Sequence, residues 1–329
     1  MAARRIAVLG GTGFVGSAVL RRLADRPATV VSTVRAPRCR TGHRRTATLL
    51  SQAVATADLV MAFADVDVVV NAAGCADAAS TDADMLVGAN ALMPLIVRRS
   101  AEMAGVRRLV HISSAAVQGA CGMLDETERH APFSPYSLSK CLGERVLLAS
   151  ASGMEIVVYR PTSVHGVDRA ISRRIAAVAR SRMCSVAGRG ASPTPQALLD
   201  NVAEAVCHLG EVADPPAIVL HPWEGTTAST FLGALGGRRP RRVPWPLAKL
   251  AVRVARTVAG RSSGLAANVR RVELMWFGQA QAESWLTRQG WSIPIGLHGW
   301  SELAEQLRNT SADPGPRSRV SGTGRENSD

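Results

Sequence analysis

The chain has 329 residues, 47% of them hydrophobic and 20% charged, the balance of a globular protein with a sizeable core. No window of about 18 residues is both apolar and free of charge, so no membrane span is expected. A net charge of +13 would suit a polyanion, but aromatics are only 4% and no zinc-finger, RRM or KH signature is present. Nucleic acid is therefore not the expected partner, and a phosphorylated small molecule fits the charge as well.

The N-terminus passes from Arg4-Arg5 straight into the apolar run 6–9, too short for the central region of a signal peptide, and a cytoplasmic protein is expected. Six cysteines are scattered without C-x-x-C spacing, which reads as reduced thiols and no metal.

Residues 6–9 have the pattern of a buried parallel strand. The cluster Gly10-Gly11-Thr12-Gly13-Phe14-Val15-Gly16 follows and opens a helix over 17–24. Strand, glycine turn and helix in that order is the setting of a dinucleotide site: glycines let the backbone approach a pyrophosphate, and the helix start offers free N–H groups. A second strand is expected over 29–34. An acid at its end would bind the ribose hydroxyls of NAD, whereas an arginine accommodates the extra phosphate of NADP. The chain has Arg35, with Arg38, Arg40, Arg44 and Arg45 beyond and no acid, so NADP is expected and NAD is the alternative.

A third strand is placed within 52–57, before Asp58-Leu59. Residues 66–70 read as a strand closed by Asn71-Ala72-Ala73-Gly74, small residues where a cofactor can come close. A helix over 84–103 carries Asn90, and a strand over 108–112 delivers Ser113-Ser114 at its carboxyl end, the edge where open parallel sheets bind ligands. A helix over 136–150 and a strand over 156–159 ending in Arg160-Pro161-Thr162-Ser163 complete an α/β alternation that predicts a doubly wound parallel sheet. After residue 166 the order is less regular. A turn-rich loop spans 188–195, helices are expected over 196–209, 244–258, 279–289 and 301–309, and a strand over 217–220. The 244–258 helix is amphipathic, with Arg253 and Arg256, and reads as a surface helix rather than a membrane anchor, so no membrane partner is expected. The composition from 309 onward is that of a disordered tail.

The chemistry is concentrated in Tyr136-Ser137-Leu138-Ser139-Lys140. Positions i and i+4 share a helix face, so the Tyr136 phenol and the Lys140 ammonium can enter one cleft. A cation there favours the phenolate, and a serine hydroxyl beside it can hydrogen-bond a carbonyl or alkoxide oxygen. Such a group moves a proton on and off a carbinol while a hydride is transferred. The chain holds 2 Tyr, and Lys140 and Lys249 are its lysines, so the spacing is unlikely to be accidental.

Together these residues resemble the extended short-chain dehydrogenase/reductase superfamily, the branch of nucleotide-sugar epimerases, dehydratases and ketoreductases. The resemblance covers about residues 5–210 closely and the remainder loosely. It implies a Rossmann domain over 1–165, a smaller mixed α/β substrate lobe over 166–308 and a tail over 309–329. Gly10, Gly13 and Gly16 match the glycine signature, Asp58-Leu59 the adenine-contacting pair, Ala72-Ala73-Gly74 the turn after the fourth strand, and Asn90 the structural asparagine. Counting back from Gly119 puts the catalytic serine at Ser114, with Ser113 as the alternative. Tyr136 would be general acid/base, Lys140 would hold the ribose and lower the Tyr136 pKa, and Pro161 and Ser163 would flank the nicotinamide. The family also implies a homodimer.

Gln118 and His165 stand where the family often has Tyr, and the segment between Leu59 and Asp67 leaves little room for the usual third helix. Ala115-Ala116 replace the Asp-Glu pair of sugar 4,6-dehydratases, which weighs against elimination. The expected activity is reduction of a nucleotide-linked 4-keto-(deoxy)sugar by NADPH. The alternatives are a nucleotide-sugar 4-epimerase with tightly bound NAD and, third, a non-catalytic NADP-sensing protein.

Overall fold

The apolar runs read as strands lie side by side in one parallel sheet. The computed structural model describes residues 3–77, 80–149, 151–260 and 263–312. The first half runs β1 (Arg4–Leu9), α1 (Phe14–Ala24), β2 (Thr29–Val34), α2 (Thr46–Gln52), α3 (Ala57–Ala62), β3 (Val68–Asn71), α4 (Ala83–Val87), α5 (Met93–Met103), β4 (Arg108–Ile112), β5 (Met123–Leu124), α6 (Pro135–Leu148) and β6 (Glu155–Arg160). The second half runs β7 (Ser163–His165), α7 (Ala170–Arg180), β8 (Ser185–Ala187), β9 (Gln196–Leu198), α8 (Leu199–Glu211), β10 (Ile218–Leu220), α9 (Ala228–Gly236), β11 (Arg241–Val243), α10 (Trp245–Ala259), α11 (Ser263–Phe277), β12 (Ala280–Gln281), α12 (Trp285–Arg288) and α13 (His298–Ala312).

The main sheet has the order β10-β6-β4-β3-β1-β2, with every neighbour parallel. The direction of winding reverses at β1, whose neighbours are β2 and β3, and a crevice opens at the carboxyl ends of such a pair. β3 and β4 are buried along their whole length, which explains why they read as unbroken apolar runs. Helices cover both faces. On one side Ala18, Val19 and Leu23 of α1 pack with Val202, Val206 and Leu209 of α8. On the other, Met93, Val97 and Ala101 of α5 meet Leu147 of α6.

The strand expected within 52–57 does not form, so β2 is the edge of the sheet. Leu49 and Ala53 bury against Leu95, Leu142 and Val146 of α5 and α6 instead. Arg99 donates to the carbonyls of Leu50 and Ala53, and Ser100 Oγ accepts from Thr56 N at 3.1 Å, so the segment's polar backbone is satisfied by a helix. The helix expected over 84–103 is real but carries a π-helical turn at Gly88–Leu92, with Asn90 inside it. The expected 279–289 helix is instead β12, which pairs with β5, followed by the short α12. Residues 196–198 form a strand before α8 begins.

The division at residue 165 is not a clean cut. α8 and β10 return to the first body, while α7, α9 and α13 close a separate core around Phe231 and Trp300. α13 continues to Ala312, and the expected tail beyond it lies outside the described residues.

One buried carboxylate joins the elements that carry the crevice. Glu144 of α6 has no exposure. Its Oε1 accepts from Ser113 Oγ at 2.5 Å and Arg160 Nε at 3.1 Å, and its Oε2 from Arg160 Nη2 at 2.7 Å and His130 Nε2 at 2.8 Å. Burial pushes the carboxyl up, but the hydrogen bonds from His130, Arg160 and Ser113 and the Arg160 charge outweigh it and hold it at about 2. Burial also lowers His111, helped by the Lys140 charge, to about 3, and lowers His165 to about 4.

Acid unfolding should follow these groups in order. His111 and His165 are held neutral, so their contribution is whole above an ordinary histidine value of 6.5 and is lost as pH falls towards 4 and 3. Glu144 is held ionised, so its contribution is whole above 4.5 and is lost as pH falls towards 2. Urea unfolding across this range should show stability falling from below about pH 6.5, and Glu144→Gln should flatten the lower part of the curve. Glu144→Leu strands Arg160 in the core and should cost about 3–5 kcal/mol. Stability that stays level from pH 6.5 to 3 would contradict this reading of the core.

Candidate functional site

The crevice begins at the glycine turn. Gly10 has φ +77, and a Cβ there would lie 2.6 Å from Ala73 N, so β1 and the Ala72-Ala73-Gly74 turn after β3 meet backbone to backbone. Gly16 packs directly on the Gly10 carbonyl, which lets α1 start immediately behind the turn. Gly13 is the N-cap and brings no side chain to the helix start, and its own N–H donates to Gly10 O at 2.8 Å. The next N–H groups, of Phe14, Val15 and Gly16, are left to an anion. Gly11 faces the Leu20 side chain, and Thr12 is exposed at the tip.

The loop after β3 is fixed from below. Asn90 Oδ1 accepts from Cys75 N at 3.0 Å, and its Nδ2 donates to Cys75 O at 3.0 Å and Ser139 Oγ at 2.9 Å. All its groups are used inside the protein, so it positions the Gly74-Cys75 corner against α6.

Ser134 and Ser137 form a capping box that starts α6 with Pro135 in its first turn, and this aims Tyr136 and Lys140 at the crevice. Lys140 is buried, and its Nζ donates to Ile112 O at 3.1 Å at the end of β4. A Cβ built on Gly74 would lie 3.5 Å from Nζ. Burial lowers the ammonium to about 8, opposed by the charges of Glu144 and Cys75. For Tyr136, burial raises the phenol; a hydrogen bond with Ser114 and the Arg169 charge pull it back, and the Cys75 charge pushes it up again.

This separates the two serines. Ser113 Oγ is committed to Glu144, whereas Ser114 turns to Tyr136 and caps the 3-10 turn Ala115–Gln118 through Ala116 N. The cation whose field reaches the Tyr136 phenol is Arg169. Its guanidinium lies over the Phe14 ring, 5.1 Å from the centroid, beside Gly166, where a Cβ would come within 3.0 Å of the same ring. The segment after β7 thereby folds over the glycine turn and carries a positive charge to the phenol. Nothing in the local pattern marked Arg169, which stands at the start of a helix that shows no cap signal. The Glu144 network likewise assembles from positions distant in sequence.

The other expected residues are placed as follows. Arg35 follows β2 at the same sheet edge as Gly10, since Leu9 pairs with Val34. Arg40 and Arg44 are tied to Asp82 and Asp84, whereas Arg35 and Arg38 are exposed without an ion-pair partner among the described residues. Pro161 is buried, and its carbonyl accepts from Ala115 N; Ser163 is exposed next to it. Asp58 and Leu59 lie on α3. Leu59 is buried in the core with Leu9 and Phe63, and Asp58 is exposed on α3, whose start is tied to Ser100 near the far end of α5. Gln118 and His165 are both structural: Gln118 bonds Asp125 and Arg129 O, and His165 has both ring nitrogens partnered by Ser172, Gln196 and Ser163.

The chain matches the profile of the NAD dependent epimerase/dehydratase family over residues 6–219. It is 31% identical over 180 residues to a UDP-glucose 4-epimerase of Azospirillum brasilense, 51% of each chain. It is 44% identical over 69 residues to a UDP-glucose 4-epimerase of Vibrio cholerae, 19% of this chain and 21% of that one. The matched stretches thus span about half of the first relative and about a fifth of the second. Among solved structures, the UDP-glucuronic acid 4-epimerase of Bacillus cereus with NAD superposes with a TM-score of 0.64 at 17% identity, covering 93% of this chain and 99% of that one. A human epimerase family protein with NADPH gives 0.63 at 20% identity, covering 92% and 99%. Sequence profile, sheet order and glycine turn converge, and the chain belongs to the NAD-dependent epimerase/dehydratase family.

Proposed function

We propose that the protein is a nucleoside-diphosphate-sugar 4-epimerase whose catalytic groups are Ser114, Tyr136 and Lys140. The observation that carries this reading is the Ser114 hydroxyl on the Tyr136 phenol, beside Lys140, at the sheet edge that also bears the open α1 start. Both curated relatives are UDP-glucose 4-epimerases, which favours epimerisation over one-way reduction. Ala115-Ala116 offer no acid for elimination.

The crevice fits a dinucleotide. Gly13 leaves the α1 N–H groups uncapped for a pyrophosphate, and Lys140 Nζ has spent one of its donors on Ile112 O, leaving the others for ribose hydroxyls. When bound, the nicotinamide supplies the acceptor and donor of hydride. Ser114 holds the sugar oxygen by a hydrogen bond, and Tyr136 removes the hydroxyl proton and later returns it. Burial makes the phenol hold its proton, and the Ser114 hydrogen bond and then the Arg169 charge oppose this in favour of the phenolate.

A second reading is supported by Arg35 and Arg38. Two unpaired guanidiniums at the end of β2, with no acid, suit the extra phosphate of NADP and hence a ketoreductase that consumes NADPH. The deciding assay offers UDP-glucose and UDP-glucuronic acid without added cofactor and reads C4 inversion by NMR. Inversion supports the epimerase; NADPH oxidation by a 4-keto sugar without inversion supports the reductase; neither would refute both.

Three outcomes are expected. Tyr136→Phe should lower turnover by about 10²–10⁴-fold with cofactor binding intact; retained turnover would remove Tyr136 from the mechanism. Arg169→Met should move the acid limb of the kcat/KM profile to higher pH, since the phenolate loses its cation; an unmoved limb would leave Arg169 only a packing role. Arg35→Glu should weaken NADPH binding by about tenfold or more and leave NADH nearly unchanged, measured by cofactor fluorescence; equal effects on both would argue against a phosphate contact.

A further inference from the structure

α10 is amphipathic with its sides reversed. Its buried residues are Ala248, Val252 and Ala259. Its large aliphatics face outward: Leu247 is 57% exposed, Leu250 56%, Val254 53% and Val258 77%. Their spacing of three, four and four residues makes one stripe along the helix. The sequence reads this segment as a surface helix, which normally turns such a stripe inward. α11 packs beside it and adds Leu265, 54% exposed, and at the head of α10 the Trp245 ring carries Lys249 Nζ at 5.8 Å from its centroid.

The charge around this stripe is mostly positive: Glu273 of α11 is paired with Arg256 and Arg270, and the other charged residues of α10 and of the segment before it are cations. Between Glu224 and Glu273 the chain has ten arginines and lysines and no acid. Arg241 and Arg242 precede α10 and are exposed; Lys249 and Arg253 lie on its flank, also exposed. A contiguous apolar stripe rimmed by cations marks a binding surface. The excess of exposed cations narrows the occupant. A second copy across a two-fold axis would place this face on itself, cation against cation. No described helix is long and apolar enough to cross a membrane. An anionic bilayer surface answers both features, taking the aliphatics into the headgroup boundary and the cations onto lipid phosphates, with tryptophan at the level of the headgroups.

We propose that α10 and α11 dock the protein peripherally on an anionic lipid surface, with α10 lying in the interface through Leu247, Leu250, Val254 and Val258. This rests on the exposed stripe and its charge and is independent of the proposed reaction.

The test is flotation of the full-length protein with vesicles of phosphatidylcholine alone and of phosphatidylcholine with phosphatidylglycerol. Binding to the anionic vesicles should exceed binding to the neutral ones by about tenfold or more and fall with added salt. The double variant Leu250→Glu/Val254→Glu should lose it, as should Lys249→Glu/Arg253→Glu. All four positions are exposed, so circular dichroism and turnover should match the parent. Parent protein that stays with the neutral and anionic vesicles equally, or binding that survives the Leu250→Glu/Val254→Glu change, would overturn the proposal. So would a parent dimer that Leu250→Glu makes monomeric while vesicles bind neither form, since the occupant is then a second copy.

Discussion

The crevice depends on a carboxylate that touches no ligand. Glu144 of α6 sits at zero exposure and accepts hydrogen bonds from Ser113 just after β4, from Arg160 at the carboxyl end of β6 and from the loop bearing His130. A charge buried at that depth is tolerable only when every lone pair is occupied and a counter-ion is adjacent, which Arg160 supplies. The requirement runs outward to the site. Holding Ser113 inward turns the adjacent Ser114 outward, because successive residues of an extended chain point to opposite sides. Holding α6 against β4 places Lys140 on the Ile112 carbonyl and Tyr136 over Ser114. An aliphatic residue at 144 would be cheaper to bury, but it would leave the register of α6 against the sheet without a directional contact.

Above that base, close approach rather than charge makes room for a dinucleotide. Gly10 and the Ala72-Ala73-Gly74 turn meet with no side chain between them, and Asn90 spends all its hydrogen bonds on holding the next corner. The π-helical turn at Gly88–Leu92 aims Asn90 there; the extra residue in the turn rotates it out of the regular α5 face. The site's cations then divide their tasks by depth. Lys140 is buried and its ammonium lowered by desolvation, whereas Arg169 arrives from the second lobe on the Phe14 ring and acts on the phenol through space. The segment after β7 thereby links the Phe14 ring of the glycine turn to the cation whose charge reaches Tyr136.

Much of this was legible because local patterns and the global fold demand the same residues. The strands at 66–70 and 108–112 are recoverable since both faces are covered, and the glycine turn since a phosphate needs bare backbone. The Tyr136–Lys140 spacing survives because a helix enforces it. Legibility fails where tertiary contacts override local preference. Residues 52–57 looked like a strand, but Arg99 and Ser100 satisfy their backbone and a helix pair buries Leu49 and Ala53. Residues 279–289 looked helical, but Gln279 is drawn to the carbonyls of Gln118 and Cys121, and the backbone pairs with β5. Arg169 had no signal at all, because a cation–π contact between positions 14 and 169 leaves no periodic trace.

The positive charge is the feature whose meaning changed most. Read as a total, +13 suggested a phosphorylated small molecule. Placed on the fold, the cations fall into separate groups with different partners. Arg98, Arg99, Arg108 and Arg160 are consumed inside, on backbone carbonyls and buried acids. Arg40 and Arg44 are neutralised by Asp82 and Asp84, whereas Arg35 and Arg38 have no ion-pair partner among the described residues. Ten more of the 39 lysines and arginines fall in the stretch from 225 to 272, which has no acid and carries an exposed aliphatic stripe remote in sequence from Ser114, Tyr136 and Lys140. A charge serving small-molecule binding would line the crevice, since Coulomb attraction between exposed groups fades over a screening length of about 10 Å at 0.1 M salt. A field spread along a helix and its neighbour instead suits a surface as extended as itself, which is why the excess charge of this protein belongs to where it sits and not to what it converts.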